Sequence, residues 1–213
     1  LVCAAGGCER LVAVSGHSNY PESVTRLPQL GDAWSINLEA VLAQQPDLVN
    51  AWADGTPPDR VARLQKLGLR VVWLRANTLD SVAGALQQIG QWLGTEAVAA
   101  PAAAAYRQRL SSLRARYRDR PPLRVLYQIE TAPAYTINGT SPISEMMALC
   151  GGVNVFASLP TISSVVGQEA MLAAAPDAVL YGSEESGTAM HAYWARLAST
   201  PASRTGNLYP IDP

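Results

Sequence analysis

"GDAWSINLEAVLAQQPDLVNAW", residues 31 to 52, is the stretch whose reading decides the fold. Its middle is an Ala- and Leu-rich run that favours helix. Pro46 cannot extend that helix, because its ring crowds the preceding turn and it has no N–H to donate. "DLVNAW" follows, too short and too apolar for a surface helix and suited to a buried parallel strand. The same phrase returns as "QEAMLAAAPDAVLYG", residues 168 to 182. Glu39 aligns with Glu169 at an offset of 130, and seven of the eleven positions from Glu39 to Val49 are identical in the two copies. A repeat spaced this widely is not a solenoid; it predicts two similar lobes.

The flanking sequence extends each copy. After the first come a helix, "PDRVARLQKLGL", with Gly68 as its stop, a strand, "RVVWLRA", and a helix, "SVAGALQQIGQWLG". Around the second, "LRVLYQI" and "NLYPI" read as strands, and "SPISEMMALCGG" and "AYWARLAS" as helices. "CGGVN", 150 to 154, reads as a helix ending on a glycine pair. Strands alternating with helices indicate parallel sheets. Between the lobes, Tyr106, Leu110, Leu113 and Tyr117 form one apolar stripe on an otherwise basic helix. That helix is either a surface element or a stiff spine, and Pro101 either opens it or kinks a helix begun at Thr95. The expected fold is α/β: two Rossmann-like lobes with parallel sheets joined by a long interdomain helix. The N-terminal lobe spans 1–94 with its first strand outside this sequence, the linking helix 95–119, and the C-terminal lobe 120–213 with its last helices outside.

Composition narrows the function. With 16 Lys and Arg against 17 Asp and Glu, the net charge of -1 offers no basic field for nucleic acid. No apolar run approaches the roughly 20 residues of a membrane helix. Cys3 and Cys8 are too loosely patterned for a zinc site, and Cys150 is either a buried small apolar residue or one half of a disulfide whose partner lies C-terminal to this sequence. An oxidising compartment is compatible with both. "GHSNY", 16 to 20, imitates the start of a hydrolase elbow, but Tyr20 replaces the final glycine and Pro21 stands where the helix should begin, so no catalytic serine is expected. No glycine-rich nucleotide cradle follows a strand.

"VSGHSNYPESVTRLPQLGDAWSINLEAVLAQQPDLVNAW", "YTINGTSPISEMMALCGGVNVF" and "TISSVVGQEAML" resemble the helical-backbone (class III) solute receptors of ABC importers, among them the periplasmic receptors for vitamin B12. The resemblance covers essentially the whole chain in order. It implies a periplasmic receptor, exported on a signal peptide, that carries a cobalamin-like corrinoid to an ABC-transporter permease dimer. It implies a monomer with no enzymatic activity, no intrinsic cofactor and no nucleic-acid partner. A haem or ferric-siderophore receptor of the same fold is the alternative. Siderophore sites need several cations against an anionic chelate, and the loops here are poor in Arg and Lys. Haem needs only one axial His or Tyr with aromatics.

The resemblance also assigns residues. It implies that Glu39 and Glu169 each meet an arginine pocket on a permease subunit. Read alone, each is a carboxylate in a first helical turn, favoured there by the helix dipole by about 0.3–1 kcal/mol. It implies a ligand wall of Trp34, Trp52 and Tyr135 in a cleft at the strand ends, with His17 at a further ligand position. A neutral His17 imidazole could take an axial position on cobalt or iron. His191 is the only other histidine, so a His-rich metal site is not expected. Trp73, Trp92 and Trp194, inside a strand and two helices, are expected to pack.

Overall fold

The computed structural model of the protein describes residues 1–32, 35–182 and 187–211. Trp34 therefore lies outside the described residues. The chain divides into two compact units, Leu1–Gln108 and Arg109–Pro213. Glu39 stands in the first and Glu169 in the second.

In the first unit, α1 (Leu38–Ala43) leads to β1 (Val49–Trp52), α2 (Pro58–Lys66) to β2 (Val71–Leu74), and α3 (Leu79–Leu93) to α4 (Glu96–Tyr117). Two of these helix starts are capped by side chains. Asn37 accepts the Ala40 N–H at the head of α1, and Thr78 and Ser81 bond reciprocally at the head of α3. Gly68, at φ +84°, ends α2 in the left-handed conformation that a side chain would resist. β1 and β2 pair in parallel, Val49 on Val71 through Trp52 on Leu74. Leu74, Ala83, Leu86 and Ile89 form the core with Ala99 and Ala103 of α4. Close helix packing explains the alanines: a Cβ on Gly90 would collide with that of Ala99.

The helix α4 begins at Glu96 and contains Pro101, so the proline neither opens it nor prevents it. The division between units falls within α4. Its Leu110 is buried, and Tyr106, Leu113 and Tyr117 are half-buried, as the apolar stripe predicts.

In the second unit the elements are β3 (Leu123–Gln128), β4 (Tyr135–Ile137), α5 (Pro142–Leu149), β5 (Gly152–Asn154) and β6 (Ser163–Val165). Then come α6 (Gln168–Ala174), β7 (Ala178–Gly182), α7 (Gly187–Ala195), α8 (Pro201–Thr205) and β8 (Leu208–Ile211). The sheet order is β6-β4-β3-β7-β8, with β5 also on β3. β5, β7 and β8 run parallel to their neighbours, whereas β4 and β6 are antiparallel additions at one edge. The departure from all-parallel sheets is local. The six residues between β3 and β4 are too few for a crossover helix, so the strand can only turn back. Leu126, Met171, Val179, Met190, Trp194 and Leu197 make the core. The Trp194 indole N–H donates to Gln128 Oε1 at 2.8 Å, both side chains being fully buried.

Both repeats fold alike, down to one unforeseen detail. Each helix turns into its strand through a residue at positive φ just before the proline: Gln45 at 47° and Ala175 at 40°. Among the described residues these are the only non-glycines at positive φ. Asp177 then locks β7 onto β3: its amide donates to the Arg124 carbonyl at 2.8 Å and its Oδ2 accepts the Arg124 N–H at 3.0 Å. One residue pair further on the copies match: the Val49 N–H donates to the Arg70 carbonyl and the Val179 N–H to the Asn207 carbonyl, each at 2.9 Å.

Two expectations change, and one pairing was not foreseen. Cys3 and Cys8 form a disulfide. Cys150 is not buried; it is exposed at the end of α5 with no disulfide partner among the described residues, and Gly151 at φ +83° makes the stop. Trp73, in β2, is 39% exposed rather than packed away. Trp92 packs on the first core and Trp194 is fully buried, as expected.

Candidate functional site

In each unit the sequence-predicted ligand residue stands at the carboxyl end of a parallel strand, where ligands of open α/β sheets bind. Trp52 is the last residue of β1. It is 53% exposed, an unusual state for so large an apolar ring. Tyr135 opens β4, but β4 runs backward along β3, which brings Tyr135 to the end of β3: its carbonyl accepts the Ile129 N–H at 3.0 Å. The Tyr135 ring is half-buried.

A buried polar lattice holds β4 in place. Thr136 Oγ1 donates to the Tyr127 carbonyl at 2.7 Å. Asn154 Nδ2 donates to the Ile137 carbonyl at 2.9 Å and to Ser144 Oγ at 2.7 Å, and Ser144 Oγ donates to the Asn138 carbonyl at 2.6 Å. Asn138 in turn donates to the Leu159 carbonyl at 3.0 Å. Among the described residues no buried side-chain nitrogen or oxygen lacks a partner. "NGTSP" signals a turn and a capped helix start, but not that its Asn138 is buried.

Val165 was not foreseen as a site residue. It pairs directly with Tyr135 across the β4–β6 ladder and is 57% exposed. Facing residues of an antiparallel pair share one face, so Tyr135 and Val165 form one apolar surface. A valine in a three-residue edge strand carries no sequence signal for this.

His17 lies in an exposed turn closed by the Ser18 N–H to the Ser15 carbonyl at 3.0 Å. Ser18 Oγ contacts only Ser15 Oγ among the described hydrogen bonds, at 3.1 Å, and no strand-turn-helix elbow surrounds it. Tyr20, three residues on, is 86% exposed. His191 is exposed on α7. Among the described residues no three His, Cys, Asp or Glu side chains converge on a metal position.

Glu39 and Glu169 are each the second residue of their helix, α1 and α6, and both are exposed. Their settings differ in one respect: α1 has the Asn37 side-chain cap, while α6 starts at Gly167 with none.

A cavity of about 280 Å3 lies inside the first unit, bordered by Val2, Val12, Leu48, Asn50, Ile89 and Trp92. Neither His17 nor Trp52 lines it, so it is not part of this site.

Two α/β units, each offering an aromatic at its strand ends, with a long helix carrying the chain from one to the other, are the build of an extracytoplasmic solute receptor. The family profile described as periplasmic binding protein matches residues 1–213, and the chain belongs to that family. It is similar to the vitamin B12-binding protein of Vibrio cholerae serotype O1, with 33% identity over 209 residues, 98% of this chain and 75% of that protein. The crystal structure of the periplasmic vitamin B12-binding protein BtuF of Vibrio cholerae superposes with a TM-score of 0.89 at 31% identity, over 99% of this chain and 82% of that one. A periplasmic haem-binding protein from Pseudomonas aeruginosa gives a TM-score of 0.86 at 29% identity, over 100% and 80%.

Proposed function

We propose that this chain is a periplasmic receptor that binds a corrinoid of the vitamin B12 type and delivers it to the permease dimer of an ABC importer, without catalysing a reaction. The observation that carries the reading is Trp52: a large ring left 53% exposed at a strand end, in a chain 33% identical to a vitamin B12-binding relative. A corrinoid is a broad, flat macrocycle with apolar faces and a polar fringe. Rings at the strand ends of each unit suit its faces, because burying an aromatic against them removes much apolar surface from water. Trp52 and Tyr135, with Val165 beside the latter, supply these contacts, and the His17 imidazole is available as an axial ligand for the metal.

The exposed carboxylates Glu39 and Glu169 are the docking points for the permease. Their matched place in a repeated phrase favours this over a chance pair of dipole partners, and Arg recognises carboxylates in bidentate geometry.

Titration of the purified protein with cyanocobalamin, haemin and a ferric siderophore tests the reading. Submicromolar binding of cyanocobalamin is expected, and binding of haemin alone would overturn the corrinoid assignment. Trp52→Ala and Tyr135→Ala should each weaken cyanocobalamin binding by about tenfold, the scale of one lost aromatic contact.

A further inference from the structure

The four residues after Trp52 close into a turn pinned at several points. The Trp52 amide donates to Thr56 Oγ1 at 3.1 Å, and the Thr56 amide donates back to the Trp52 carbonyl at 2.9 Å. The Gly55 N–H also reaches that carbonyl, at 3.4 Å. The Ala53 N–H donates to the Leu74 carbonyl at 2.9 Å, which ties the turn to the end of β2. Arg75 pairs with Asp54 at 2.8 Å and ties its outer side. Pro57 and Pro58 then set the entry into α2.

Inside this frame the six-membered ring of the Trp52 indole lies against Gly55. A Cβ on Gly55 would overlap Cε3 and Cζ3 outright and lie 3.0 Å from Cδ2, so the ring would have to move. The three atoms nearest that Cβ all belong to the ring. Gly55 is not among the glycines at positive φ, so the backbone does not demand a glycine here. What demands it is the ring.

We propose that Gly55 is a positioning residue for the ligand: by leaving room for the indole against a rigid turn, it fixes the aim of the Trp52 ring and thereby the affinity for a flat macrocycle. This rests on the reading of Trp52 as a ligand contact. The economy of the arrangement is entropic. A half-exposed tryptophan free to sample its rotamers must be immobilised when ligand binds, whereas one already seated has little freedom left to lose.

The test is Gly55→Ala, which adds one methyl without imposing a strained φ. The first readout needs no ligand: the Trp52 indole N–H resonance in a 15N-labelled protein, identified by its disappearance in Trp52→Phe. Gly55→Ala should shift this signal and leave the other indole signals in place; an unshifted Trp52 signal overturns the proposal. The second readout is cyanocobalamin affinity. Gly55→Ala should weaken it by about tenfold in the parent protein and by nothing further in the Trp52→Ala background, the non-additivity expected of two residues acting through one contact. An equal loss in both backgrounds overturns the proposal, because the methyl would then act by disturbing the turn. A shifted resonance with unchanged affinity also overturns it. If the parent protein binds no cyanocobalamin, the functional reading fails instead, and the resonance alone decides whether Gly55 sets the ring.

Discussion

At the scale of single residues, the positive-φ pair shows how deep the internal repeat runs. Gln45 and Ala175 hold the left-handed conformation in matched turns, a state that costs a non-glycine residue on the order of 1–3 kcal/mol. Glycine relieves that strain but loses more chain entropy on folding, which offsets part of the gain. Gln45→Gly and Ala175→Gly should therefore each stabilise the protein by about 0.5–1 kcal/mol, read from chemical denaturation. Gln44→Gly, one residue earlier in the right-handed region, is the control and should destabilise. Nothing in the letters Gln and Ala announces this backbone state, which comes from the geometry of turning a helix directly into a buried strand. The placement of Glu39 and Glu169 at helix starts and of Trp52 at a strand end was legible because repetition and position mark it. Gly55 was not, because its reason is a ring that folds back from three residues away.

Among the elements, α4 carries a proline inside it, the second of the two placements the sequence left open. Pro101 lies in the sixth position of a 22-residue helix, beyond the first turn where proline is harmless. Its missing N–H and its ring cost a helix interior about 3 kcal/mol relative to alanine. Being exposed, Pro101 has little packing to lose. Pro101→Ala should stabilise the protein by about 1–3 kcal/mol. Thermal unfolding checks it. The β4 strand teaches the opposite lesson. Its direction was set by a connection too short for a crossover, a constraint visible in the sequence only once β3 and β4 are both recognised. It is held by the Asn138, Ser144 and Asn154 lattice, whose members look like ordinary turn residues. Asn154→Ala should cost about 2–3 kcal/mol, since it leaves the buried Ser144 hydroxyl and the Ile137 carbonyl without a donor.

Across the whole molecule, on the proposed reading, ligand contact and permease docking fall on separate residues, so they should separate in experiment. Glu39→Ala and Glu169→Ala remove exposed carboxylates and should leave cyanocobalamin affinity nearly unchanged while lowering uptake by the intact importer. Loss of ligand binding in either variant would refute the docking role. The five tryptophans carry one further consequence. Trp194 is sealed in the second core, while Trp52 and Trp73 stand open to solvent. Iodide should therefore quench only part of the intrinsic fluorescence, and the sealed fraction becomes an internal standard. A ligand that covers Trp52 would shield it from iodide and leave Trp73 as accessible as before, so occupancy can be followed by light without a label.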